Sequence, residues 1–108
     1  MEINWTHNAI SMADSILRYT FKTFGKSQAD KLKMMFVDTT KRLKSYPNSG
    51  PIDSLLSDLE HEYRSVTLYK TIKIIYYIAD KEHIYIVAVW NCRQDETSLH
   101  DSIKNKNI

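Results

Sequence analysis

The chain has 108 residues, 43% of them hydrophobic and 26% charged, which suits one globular domain with a core that needs no disulfide or metal. Its net charge of +2 and pI near 8.6 are too mild for bulk basicity to argue a nucleic-acid partner. Cys92 is the lone cysteine, so no intrachain disulfide is expected; with no apolar run of membrane-spanning length and no leader-like start, a cytoplasmic protein is expected.

Glu2–Trp5 alternates like a short edge strand, with Ile3 and Trp5 sharing a face. Thr6 is placed to cap a first helix, whose apolar stripe reads Ile10, Ala13, Leu17, Phe21 and Phe24, supported by Ile16 and Thr20. Gly25 is the expected stop. Ser27-Gln28-Ala29-Asp30 resembles a capping box opening a second helix, with an apolar face of Leu32, Met35, Phe36, Thr39, Leu43 and Tyr46. Tyr46-Pro47 ends it, because a residue before proline avoids helical geometry. The two helices must fold back as a hairpin, with Leu17 and Phe36 facing into a common core.

Pro47–Pro51 is the one clear loop, and Leu55, Leu56 and Leu59 are spaced for a short helix within Ile52–Glu62. From Tyr63 the period becomes two. Val66 and Leu68 share a face with Arg64. Ile72, Ile74, Tyr76 and Ile78 alternate with Lys73, Ile75, Tyr77 and Ala79. Asp80–His83 is a polar turn, and Ile84–Trp90 is apolar on both faces, as a central strand is. Asp95–Ile103 is a candidate terminal helix. Helices precede strands, so the class is α+β: one domain over residues 1–108, with an N-terminal helical hairpin packed on a small, mainly antiparallel sheet.

Each of the three β-rich segments carries a cation near one end, Arg64, Lys73 and Arg93. Basic residues at a shared sheet edge suit an anionic partner or developing negative charge. The bland alternative is that they are solvated strand-end charges guarding the edges. Pairing across the Asp80–His83 turn sets Lys73 opposite Trp90 and puts Arg93 on the other face, unless the chain bulges near Asn91. His7, His61, His83 and His100 lack metal-ligand spacing, so neither metal nor cofactor is expected. Most of the tyrosines and Trp90 read as core rather than as base-stacking surface.

The chain resembles the RelE/ParE toxins of bacterial type II toxin–antitoxin systems. The resemblance runs through Ile3-Asn4-Trp5-Thr6, Tyr46-Pro47-x-x-Gly50, Tyr63-Arg64, Lys73-Ile74-Ile75-Tyr76 and Val89 through Asp95, in that order. It implies a plasmid-stabilisation-type toxin silenced by a cognate antitoxin. RelE-like members cleave mRNA in the ribosomal A site, whereas ParE-like members inhibit DNA gyrase without being nucleases. A nuclease of this kind would be metal-independent, with Lys73 or Lys70 as base and Arg64 and Arg93 clamping the phosphate; His100 is a weaker candidate for proton transfer. Lys73 stands where the family usually has arginine, and no aromatic residue follows Arg93 closely; Leu99-His100 is the nearest candidate. These departures, the long hairpin and the Tyr-Pro-x-x-Gly loop lean towards ParE. The remaining alternative is an inactive member that only binds an antitoxin. Because Ile84–Trp90 is apolar on both faces, the antitoxin is expected to lay an apolar helix or strand in the groove between sheet and hairpin.

Overall fold

The computed structural model describes residues 1–68, 71–91 and 96–106, with the side chains of 96–98 and 105–106 excepted. Strand β1 is Glu2–Trp5, helix α1 His7–Phe24, helix α2 Lys26–Ser45, and a 3-10 turn covers Ser54–Leu56. Strands β2 (Arg64–Leu68), β3 (Ile72–Ile78) and β4 (His83–Asn91) follow, then helix α3 (Glu96–Lys106). The sheet order is β1-β4-β3-β2, with β1 parallel to β4 and the other neighbours antiparallel. The expected α+β class and helical hairpin are therefore observed.

Thr6 caps α1 as its sequence position suggests, its Oγ1 accepting from the Ala9 N–H at 3.1 Å. Gly25 alone joins the two helices. At φ +92° it ends α1 by donating to the Phe21 carbonyl and starts α2 by accepting from the Ala29 N–H. Helix α2 therefore begins at Lys26, and Ser27-Gln28-Ala29-Asp30 lies inside it rather than forming a cap.

The α1 stripe is rotated from the expected one. Ala9 and Ala13 are its buried residues, flanked by half-buried Met12, Ile16 and Leu17. Small alanines let the helix lie close to the sheet, and Ile10, one position or about 100° on from Ala9, turns to the rim. Phe21 and Phe24 are also exposed, at the outer end of the helix. On α2, Leu32, Phe36, Thr39 and Leu43 are buried as expected, but Tyr46, the C-cap residue, is exposed.

Register confirms Lys73 opposite Trp90. A bulge lies further into the sheet than Asn91. Tyr76 pairs with Ile86 and Ile75 with Ala88, leaving Val87 as the extra residue. Val87 and Ala88 thus both contribute to the core on the far side of the sheet, while Ile86 and Val89 point to the hairpin side.

That far side is covered. Leu56, Tyr63, Ile75, Tyr77, Val87, Ala88 and Trp90 pack with Leu99 and Ile103 of α3. Both sheet faces are therefore occupied by the chain's own residues. The two-sided apolarity of Ile84–Trp90 reflects these two cores, not a face kept open for an antitoxin.

Candidate functional site

The predicted cations fall into three situations. Arg64 opens β2 opposite Tyr76, on the hairpin side of the sheet with Val66 and Leu68. Its Nη1 donates to the Gly50 carbonyl at 2.8 Å, and its Nη2 lies 3.6 Å from Glu62 Oε1. Lys73 lies on the other face, opposite Thr67 and Trp90. Its Nζ donates to Asp53 Oδ2 at 3.1 Å, with the two side chains only 10% and 6% exposed. Lys70 and Arg93 lie outside the described residues. The described pair thus points to opposite faces, three residues apart along the paired strands.

What Arg64 and Lys73 share is one segment, residues 47–62, which they grip from its two sides. The Tyr76 hydroxyl donates to the Pro47 carbonyl at 2.7 Å and accepts from the Gly50 N–H at 3.0 Å. Burial pushes its pKa up, which keeps the donor proton in place. The segment then lines the edge of β2. Ser65 N–H donates to the Pro51 carbonyl, Asp53 N–H donates to the Tyr63 carbonyl, and Ile52 bridges to Arg64. Beyond that edge it reaches the far face, where Asp53 meets Lys73 and also caps the 3-10 turn by accepting from the Leu55 N–H at 3.1 Å. Leu56 is buried there, Leu59 half-buried and Leu55 exposed, so one turn forms where a short helix is expected. Gly50 is required where the strap crosses. A Cβ would come within 2.7 Å of the Ser65 carbonyl oxygen and 2.8 Å of Val66 Cγ2.

His100 is a third anchor. Its Nε2 lies 2.8 Å from Asp58 Oδ1 and its Nδ1 3.7 Å from Asp101, joining α3 to the same strap. The hydrogen bond from His100 is the main cause holding the Asp58 carboxyl below its ordinary value. Sequence reasoning missed Asp53 and the strap. The available signal was Lys73 itself, since a lysine in the otherwise apolar run Ile72–Ile78 needs a buried counter-charge.

The aromatic residues pack mainly on one another. His61 stacks on Tyr77 at 3.9 Å and 3°, Tyr77 stacks on Tyr85 at 5.6 Å, and Tyr63 meets both His61 and Tyr77 edge-on. This is core packing, as expected. Among the described residues, no group of three or more His, Cys, Asp and Glu could hold a metal, and no helix is long and apolar enough to cross a membrane.

Open surfaces remain at the hairpin, two of them along α1. A groove of about 570 Å³ runs between the C-terminal half of α1 and the β3–β4 end, lined by Met12, Ile16, Tyr19, Phe24, Ile72 and Trp90 among others. Trp90 is buried, and its Nε1–H has no acceptor among the described residues. On another side of α1, Arg18, Tyr19, Phe21 and Lys22 line a second, more open hollow.

A helical hairpin on a mixed four-stranded sheet is thus the scaffold that carries these surfaces. The model of the ParE toxin of type II toxin–antitoxin systems (parDE) matches residues 3–96, and the chain belongs to that family. A solved structure described as the chromosomal ParDE toxin–antitoxin system from P. aeruginosa shares the fold. It has a TM-score of 0.67 and 22% identity, over 84% of this chain and 95% of that one. Comparison with curated proteins gives no match.

Proposed function

We propose that this chain is a toxin that inhibits DNA gyrase and is neutralised by a cognate antitoxin. The observation that carries this choice over mRNA cleavage is the separation of Arg64 and Lys73 on opposite sheet faces, each bonded to the strap. A metal-free ribonuclease needs a base and a phosphate clamp within hydrogen-bond reach of one scissile phosphate. Two cations held on opposite sides of a sheet do not meet that requirement. Arg64 and Lys73 are instead assigned to holding the fold. Arg93, two residues beyond β4 in the chain, remains the cation assigned to partner contact.

The antitoxin is assigned to the groove beside α1, an opening that persists although both sheet faces are covered. An apolar segment there would fill the space over Ile16 and Ile72. A cytoplasmic location follows from the proposed target. Induced expression tests this reading. Plasmid topology should change before nascent-chain synthesis falls, with messenger RNA intact. Early loss of messenger RNA at unchanged topology would overturn it.

A further inference from the structure

The outer end of the helical hairpin combines features that the fold itself does not use. Tyr19, Phe21 and Phe24 lie within six residues and are 62%, 55% and 64% exposed. Large aromatics clustered on a surface mark interaction sites, and with arginine they are the side chains that dominate binding energy at protein interfaces. The platform is stiff. A single residue, Gly25, links an 18-residue helix to a 20-residue one, so little ordering entropy is lost when a partner seats on it.

Charge is concentrated at the same place. Residues 18–33 carry five cations (Arg18, Lys22, Lys26, Lys31 and Lys33) against one carboxylate, Asp30. Residues 53–62 carry four carboxylates, Asp53, Asp58, Glu60 and Glu62, and no lysine or arginine. A chain of net charge +2 thus carries a local cationic excess at the hairpin tip, which would steer the aromatic residues towards an acidic surface.

We infer that this tip is the surface that docks the toxin onto its target protein, its aromatic rings entering an apolar cleft on the partner while acidic side chains of the partner meet Arg18 and Lys22. A protein fits better than a nucleic acid, because carboxylates are interleaved with the cations. Arg18 pairs with Asp14 at 2.9 Å and Lys26 with Asp30 at 3.2 Å, so two of the five cations are already partly neutralised and less charge is left for a phosphate backbone.

The inference names the contact surface of the proposed toxin, and its test separates the two claims. The variant Phe21→Ser, Lys22→Glu alters two exposed positions that do not line the groove beside α1. With unchanged melting, it should abolish growth arrest on induction and weaken binding to purified gyrase by at least about tenfold. Lys22→Glu alone, a surface charge change that leaves the rings in place, should weaken association at low salt and flatten its loss as salt is raised. Full toxicity of the double variant at equal expression would overturn the inference. So would a wild-type chain that binds a plain DNA duplex through Phe21 and Lys22. Toxicity lost in the variant, with no effect of the wild type on gyrase, would leave the docking surface standing and remove gyrase as its target.

Discussion

Lys73→Met is the perturbation that best separates a structural cation from a catalytic one. The Lys73–Asp53 pair is 3.1 Å apart with both side chains nearly covered, so the values near 0–1 kcal/mol typical of exposed pairs do not apply. Removing the ammonium leaves the Asp53 carboxylate buried without its charge partner, at a cost of about 3–5 kcal/mol. For a domain of this size that lowers Tm by roughly 12 °C or more. Asp53→Asn should cost a similar amount, since the amide still caps Leu55 but takes the buried carboxylate away from the lysine. The double variant Lys73→Met, Asp53→Asn removes both charges, lets methionine fill the space, and should recover at least about 2 kcal/mol of the summed loss. Thermal melts of the four proteins measure the coupling. Growth arrest measured well below the lowered Tm then reports function, and the double variant should remain toxic. Single changes costing under about 1 kcal/mol, or a stable double variant without toxicity, would refute the reasoning.

Phe36→Ala empties a position in the core between α2 and the sheet, where the ring meets Trp5 edge-on, and should cost about 3–5 kcal/mol by chemical denaturation. Gly50→Ala should cost about 1–3 kcal/mol, because the nearest obstacle is the Ser65 backbone oxygen and cannot swing away; an unchanged denaturation midpoint would mean that the strap moves freely. His83 has Asp80 against one ring nitrogen at 2.8 Å and Glu2 against the other at 3.1 Å, and the hydrogen bond to Asp80 is the main cause that raises its pKa above 6.5. A raised value means that the imidazolium stabilises the fold fully below pH 6.5 and less as pH climbs through the folded value. The Tm gap between wild type and His83→Gln should therefore narrow from pH 6 towards about pH 8.5, and a gap independent of pH would contradict the clasp.

The fold was legible because its signals are local and periodic. Thr6, Gly25 and the Tyr46-Pro47 junction punctuate the helices, and the change to period two at Tyr63 marks the sheet. The phase of α1 was less so. Ile10, Phe21 and Phe24 satisfy helical spacing with Ala13 as well as Ala9 does, and only close packing against the sheet selects Ala9 in place of Ile10. The cations were located in sequence but not in space. Strand alternation already puts Arg64 and Lys73 on opposite faces once Arg64 pairs with Tyr76, and that pairing is a tertiary fact. Asp53 and Asp58 gave no sign in the sequence that they would meet Lys73 and His100, 20 and 42 residues away.

The central claim is gyrase inhibition by a fold in which Arg64 and Lys73 are structural. Its most direct test is supercoiling of relaxed plasmid by purified gyrase, titrated with the purified chain, beside a parallel reaction of programmed ribosomes with messenger RNA. The account predicts that supercoiling is inhibited in proportion to added protein while the messenger RNA stays whole. Unimpaired supercoiling, with messenger RNA cut on the ribosome, would contradict it.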